Sequence, residues 1–506
     1  MDNLTTLLAD FRAHLNRVRM YRLALSTVSY DAHTIAPKGA VAMRARRDGF
    51  FAAEMYAMTT SDKAKGLLEG LAPHVDKLDP IAAAEYRLAK KSYDNSTKIP
   101  ADMVRKFSEL RSKAYAVWEE ARKNNDFASF APYLKDIIEM RKQMTEFRRE
   151  GDTPLYDVML DDFEEGMTME IYDEYFTKLR AAIVPLLKGV MASPKQIDKA
   201  FAYAPVSIDD QRKLSDFVAA EIGYDINRGH IGETAHPFCN GIHRDDVRIT
   251  TRYDENDFLS SFYSIMHECG HAIYEQNMGD DIAESIVASG VSSGIHESQS
   301  RFYENIIGRS EAFWDYLTEG LKKYLPASYQ NTSARQFYEA ANESKPSLIR
   351  VEADELTYSL HCLIRYEIER MIFMDGVDVN DLPAIWNAKY QEYLGVAPPD
   401  DANGVLQDVH WSGGMFGYFP TYSIGSAYAS QFAAYMRKEM DVDALIRSGN
   451  FAEITKWLKD KIHQHGSVLT PKQLVEKIAG EGLNADYYVE YLNKKFGALY
   501  QLEGMA

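Results

Sequence analysis

Residues 267–271 read His-Glu-Cys-Gly-His. On a helix, positions i and i+4 project from one face about a turn apart, so the imidazoles of His267 and His271 can reach a single metal ion. Glu268 lies between them in sequence, placed to take a proton from a water held beside that metal. The chemistry served by this pattern is metal-assisted hydrolysis. With 13 His and at most 75 acidic residues in 506, His-Glu-x-x-His arises by chance at most about 0.05 times. Cys269 sits between the ligands in sequence, so its side chain faces away from the metal and reads as a small packed hydrophobe.

Two histidines leave the metal short of a ligand. The long pattern with Gly at 274 and His at 277 is excluded, because the chain has Tyr274 and Asn277. A carboxylate from a following helix completes a His₂Glu set with one open position. The candidates are Glu284, Glu297 and Glu304. Glu284 follows Gly279 too closely for an easy reversal of direction. A helix starting near Ser292 or Ser293 places Glu297 in its early turns, and spacing favours this residue.

The elements that must hold these groups are mostly helices. Phe258, Leu259, Phe262, Tyr263, Met266, Ile273 and Tyr274 are spaced for a buried helix capped by Asn256 or Asp257, and Gly279 can end it. Apolar residues at three- and four-residue intervals predict further helices over 4–25, 40–58, 80–92 and 101–124. Between Gly223 and Asp254 the glycines crowd. The alternating, β-branched run from Val247 to Tyr253 predicts a strand in a small sheet. Gly404 to Gly425 is a second glycine- and aromatic-rich stretch. The organisation that fits is one catalytic domain over 1–506, with an N-terminal helical layer to about residue 200 and the catalytic part after it.

The bulk numbers restrict the partners. The chain has 506 residues, 46% of them hydrophobic, and a formal charge of −18. So acidic a surface repels phosphate backbones and anionic lipid, which argues against nucleic-acid and membrane partners. Three widely spaced cysteines, Cys239, Cys269 and Cys362, argue against a disulfide framework. The N-terminal residues show no signal-peptide pattern, and no run of about 18 apolar residues exists. A cytoplasmic setting is expected.

His-Glu-Cys-Gly-His followed by His296-Glu297-Ser298-Gln299-Ser300 resembles the Taq-type thermostable zinc carboxypeptidases. His236-Pro237-Phe238 matches that family's H-P-F, and Asp246 to Thr250 matches D-x-R-x-T. Ile349 to Asp354 matches I-R-x-x-A-D, and Gly404 to Trp411 matches G-x-x-Q-D-x-H-W. The motifs run from about residue 30 onwards. One departure is Tyr30-Asp31, where the family usually has Trp-Asp; it touches packing and leaves the chemistry undisturbed. The resemblance implies a mostly α, neurolysin-like fold with a deep groove and a small sheet near the active site, commonly as a homodimer. It implies release of single residues from peptide C-termini, and it strengthens Glu297 as the third ligand.

Zn²⁺ is the expected metal, with Co²⁺ or Mn²⁺ suited to similar donors. Besides Glu268, the oxyanion needs a donor, which Tyr418 or Tyr422 can supply as a phenol from a turn-rich loop, with His410 the alternative. Tyr422 and His410 join Glu268 as catalytic candidates, and Tyr418 joins the substrate-binding ones. An exopeptidase must read a free carboxylate, and arginine does so through its planar fork. Arg350 is the first candidate; its structural alternative is a pair with Asp354, a turn further on. Arg248 is the second, and Asp246 and His236 are candidates for orienting the metal histidines. Two other functions compete. One is an oligopeptidase or dipeptidyl carboxypeptidase, which the same helical groove would serve, and the discriminator is whether a free C-terminus is required. The other is a catalytically silent peptide-binding protein, against which the intact Glu268 argues.

Overall fold

Asp257 accepts a hydrogen bond from the Ser260 amide and starts the helix Phe258–Gln276. Serine does the same for the next helix: Ser292 accepts from Ile295 N and opens Ser293–Arg301. The first helix therefore begins at one of its two expected caps and ends at Gln276, short of Gly279. The computed structural model describes residues 3–502.

Most of the described chain is helical. The first expected helix extends further than its apolar spacing indicated, over Asn3–Thr34. The others lie at Val41–Thr59, Pro80–Thr97 and Ala101–Asn124. A three-stranded sheet is the one β structure among the described residues. Its strands are β1 (Gly229–Glu233), β2 (Cys239–His243) and β3 (Asp246–Thr251), in the order β1-β3-β2. β3 takes up most of the expected run 247–253 and pairs in parallel with β1 and antiparallel with β2. Tyr30 packs edge-on against His230 and Phe238 beside this sheet, and the Arg248 guanidinium lies 5.3 Å from its ring centroid. The departure at Tyr30 is thus a packing position.

The chain divides into two compact units. One takes Met1–Thr97, Lys199–Ala341 and Tyr435–Gly480, and the other takes Lys98–Asp198, Asn342–Ala434 and Glu481–Ala506. Each unit draws chain from both sides of residue 200. In the first unit the helix Phe258–Gln276 is the centre of the core. Phe258, Ile265, Met266, Ala272 and Ile273 are fully buried along it. Phe262 stacks on Trp314, which stacks on Phe337. In the second unit Tyr156, Tyr172, Phe176 and Tyr366 form an aromatic core cluster.

Close approach requires glycine at position 270 in the first unit. A Cβ on Gly270 would stand 2.5 Å from the Gln299 carbonyl oxygen and 2.7 Å from Ser300 Cα. The bare backbone at this position of the His-Glu-Cys-Gly-His run lets the helix carrying Glu297 lie directly on the helix carrying the histidines.

Candidate metal centre

That contact brings three donor groups together. Nε2 of His267 lies 3.6 Å from Glu297 Oε2, and Nε2 of His271 lies 3.5 Å from the same oxygen. All three donor atoms fall within 4.8 Å of one another. These spacings exceed the 2.7–3.2 Å of a good N–H···O hydrogen bond. They match a tetrahedral ion, which with bonds of about 2.1 Å holds its ligand atoms about 3.4 Å apart. The residues present therefore fit a divalent metal. Of the two Glu297 oxygens, Oε2 is the one turned to both imidazoles, while Oε1 accepts from Arg301 Nε at 2.7 Å.

The other two carboxylates weighed as ligands lie elsewhere. Glu284 is exposed and pairs with Arg19. Glu304 sits on a π-turn, Phe302–Ile307, that continues the Glu297 helix. Its Oε2 lies 2.8 Å from His267 Nδ1. Arg301 and Arg309 donate to the same carboxylate. A carboxylate can only accept, so His267 Nδ1 donates and Nε2 is the nitrogen left for a metal.

His271 is oriented by a longer chain of groups. Its Nδ1 lies 2.6 Å from His296 Nδ1, and His296 Nε2 lies 2.8 Å from Glu275 Oε1. With Glu275 accepting, His296 Nε2 donates, His296 Nδ1 accepts, and His271 Nδ1 carries the hydrogen. His271 Nε2 is again the nitrogen turned to Glu297. The side chains that orient the two histidines are therefore Glu304, His296 and Glu275. Asp246 instead takes two bonds from Arg248, at 2.7 and 2.8 Å. Thr234 donates to the His236 carbonyl.

Electrostatics suit the arrangement. Burial pushes the Glu268 carboxyl up to about 7; His267 and His296 oppose the rise, while Glu297 and Glu304 add to it. Burial, with His296 nearby, pulls His271 down to about 3, so it is neutral at ordinary pH. Burial lowers the His267 pKa, yet the Glu297 and Glu304 carboxylates outweigh it and leave that pKa raised. Burial also raises the carboxyl pKa of Glu297 and Glu304, but Arg301 and His267 outweigh it and hold both carboxyls below their ordinary range. Cys269 is free and fully buried.

The second unit gathers Arg350, His410, Tyr418 and Tyr422. Arg350 is buried, and its Nε and Nη2 both donate to Asp408 Oδ1, at 3.0 and 2.9 Å. Its Nη1 donates to Tyr358 OH, and the Tyr422 ring centroid lies 4.8 Å from the guanidinium carbon. Asp354 is not its partner; that carboxylate accepts from Ser344 and from the Lys345, Leu356 and Thr357 amides. Arg365 donates to the other Asp408 oxygen at 2.7 Å, so two guanidiniums share one carboxylate. His410 Nε2 lies 3.3 Å from Tyr422 OH, and its ring stacks on Tyr418. Burial takes His410 down to about 4, so it is neutral. Tyr422 stands in the first turn of the helix Phe419–Glu439, where a turn-rich loop was expected. Pro420 is tolerated there because the first helical amides have no partner within the helix.

Sequence reasoning missed Asp408, Arg365, His296 and Glu275 as partners. Glu275 was within reach, being four residues after His271 on one helical face. Asp408 lies 58 residues from Arg350 and only the fold pairs them.

A helix bearing His-Glu-x-x-His, with a carboxylate from the next helix turned to both imidazoles, defines the metal-dependent peptidases of the His₂Glu kind. The chain belongs to the family described as carboxypeptidase Taq (M32) metallopeptidase, which it matches over residues 10–496. It is 43% identical to carboxypeptidase 1 of Bacillus subtilis, over 97% of this chain and 98% of that one. It is 37% identical to thermostable carboxypeptidase 1 of Thermus thermophilus, over 93% and 94% of the two chains. The solved structure of an M32 carboxypeptidase from Deinococcus radiodurans R1 superposes with a TM-score of 0.95 at 35% identity, covering 98% of this chain and all of that one. The chain is a metallocarboxypeptidase with the mostly helical fold of that family.

Proposed function

We propose that the chain releases single residues from peptide C-termini at a Zn²⁺ ion held by His267 Nε2, His271 Nε2 and Glu297 Oε2, with Glu268 as general base. The observation that carries this reading is the triangle of donor atoms at 3.5 and 3.6 Å around one carboxylate oxygen. Two imidazoles and a carboxylate suit Zn²⁺, and Co²⁺ or Mn²⁺ accept similar donors. When bound, the ion polarises the scissile carbonyl and acidifies the attacking water.

The remaining roles fall to the chain's own groups. Glu268, with a carboxyl near 7, accepts the proton of the attacking water and returns it to the leaving nitrogen as the C–N bond breaks. Glu304 and the His296–Glu275 pair hold the two imidazoles in the tautomers and directions required. We assign the oxyanion donor to Tyr422 or to His410, which form one neutral hydrogen-bonded couple, with Tyr418 beside them on the substrate. Arg350 is assigned to the substrate's terminal carboxylate. Its support is the sharing of Asp408 by two guanidiniums, which a second anion would balance. Arg248, already bidentate to Asp246, is the next candidate.

A second copy of the chain is the proposed partner in solution. Val41, Met43 and Phe50 are exposed on the helix Val41–Thr59, which has no buried residue. No helix among the described residues is long and apolar enough to cross a membrane, and the three cysteines are free, which supports a reducing, cytoplasmic setting.

The test is a two-by-two comparison of kcat/KM, with wild type and Arg350→Ala on free-acid and amidated peptides. Truncating one partner of a buried charge pair costs roughly 30- to 5,000-fold. The mutant should lose that much on the acid and little further on the amide. Additive losses would place carboxylate recognition elsewhere. Sequential loss of single residues, followed by mass spectrometry, separates this activity from release of dipeptides.

A further inference from the structure

The first unit contains a cavity of about 290 Å³. Phe11, Leu15 and Val18 of the helix Asn3–Thr34 line it, as do Leu68 of the helix Asp62–Leu71 and Ile286. Part of its wall is apolar and buried: Phe11, Val18 and Leu68 are 5% exposed or less. Arg22 and Ser92 also line it, and both are exposed, so the cavity opens where they stand.

The charge around that mouth is one-sided. Two other arginines of the same helix have carboxylate partners, Arg12 with Glu85 and Arg19 with Glu284. Arg22 has no hydrogen bond or ion pair among the described residues, and no carboxylate lines the cavity. Protein crowds it nonetheless, and desolvation pulls its pKa below the ordinary guanidinium value. His14, also in the lining, has its pKa lowered by burial and by the nearby cations Lys63 and Arg17. In a chain with a net charge of −18 this is a local positive field above an apolar floor.

We propose that this cavity binds a small monocarboxylate with an apolar tail, the tail packed on Phe11, Leu15 and Leu68 and the carboxylate paired with Arg22. An apolar hollow favours each methylene removed from water, and an unpaired guanidinium is a ready-made fork for a carboxylate. A free amino acid is disfavoured, because no acidic side chain is there to take its ammonium group. Gly290 is part of the same wall, and a Cβ on it would lie 2.5 Å from His296 Cδ2. The cavity therefore abuts the imidazole that orients His271, without including any of the three metal-donor residues. The inference is independent of the substrate assignment above.

The shared chemistry, a carboxylate on an apolar body, could come from a fatty acid or from an acylated amino acid. Calorimetric titration of the metal-loaded protein with hexanoate, octanoate, decanoate, octanol, octylamine and acetyl-leucine distinguishes them. Affinity should rise roughly fourfold per CH₂ until the cavity is full. Octanol and octylamine should bind at least tenfold more weakly than octanoate. Arg22→Gln should weaken octanoate by roughly 10- to 100-fold and leave octanol unchanged. Ala89→Trp, which plugs the lining, should abolish binding of both. The carboxylate that binds the wild type more tightly, is weakened by Arg22→Gln and is lost with Ala89→Trp identifies the source. Octanoate that fails to bind, that binds as well in both variants, or that binds no better than octylamine would overturn the proposal.

Discussion

At the scale of single residues, the proposed ligand Glu297 and the proposed base Glu268 are chemically distinct although both are buried carboxylates. Burial pushes Glu268 up to about 7, while Arg301 and His267 keep Glu297 charged. Glu268→Gln should keep its metal and lose turnover by at least about 10²-fold, because the amide keeps the shape and cannot take a proton. Glu297→Gln should instead release the metal more readily. Metal content by elemental analysis beside kcat reads both, and the reverse pattern would mean that base and ligand had been exchanged. The groups behind the histidines make a second prediction. Glu304→Gln and His296→Ala should each weaken metal affinity by roughly 10- to 100-fold, measured by competition with a chelator. An unchanged affinity in both would leave the two imidazoles oriented by something else.

At the scale of elements, the contact between the helices Phe258–Gln276 and Ser293–Arg301 makes the site. Gly270→Ala puts a methyl where backbone stands 2.5 Å away, so the helices must part. Overpacking of this kind costs about 1–3 kcal/mol, and the pulled-back Glu297 should lower metal affinity as well. Thermal unfolding and metal titration check the two effects; a variant with wild-type values would show that the helices have room. The same two helices show what the sequence could deliver. Asp257 as one of two candidate caps, a helix start near Ser292 or Ser293, the two histidines on one face, and Glu297 as the favoured one of three carboxylates are all legible in local spacing and capping chemistry. So is the strand that became β3. What stayed hidden depended on chain folding back on itself. Glu304 was read as a rival ligand because spacing cannot show which carboxylate reaches Nε2 and which reaches Nδ1. Tyr422 was read as loop because glycines and a proline crowd its neighbourhood, yet a proline in a helix's first turn is permitted. Helical spacing offers Asp354 as the structural alternative for Arg350, but Arg350–Glu352 is a short 3₁₀ turn and that local pairing does not form.

At the scale of the whole molecule, stability against pH carries a contribution from Glu369. It is fully buried in the second unit and accepts from Tyr156 OH, Trp411 Nε1 and the Gly417 amide. Burial raises it from 4.5 to about 7 in spite of those three bonds. The folded form therefore holds a proton that the unfolded chain gives up. Its contribution is fully present below pH 4.5 and is lost as pH rises through about 7, on the order of 3 kcal/mol. Glu369→Gln should flatten that part of the profile, read by urea denaturation at pH 5 and at pH 7.5. A mutant with the same pH slope as the wild type would show that Glu369 does not carry it. The first unit's three separate stretches have a further consequence, for the order in which the protein is made. His463 Nε2 bonds to Gln299 Oε1 across 164 residues, and the Ser467 amide bonds to the Val287 carbonyl. At roughly 5–20 residues per second, a ribosome delivers His267, His271 and Glu297 on the order of 10–30 s before these supports. During that interval the nascent chain has every proposed ligand and only part of its frame, and a chain released before His463 would remain in that condition.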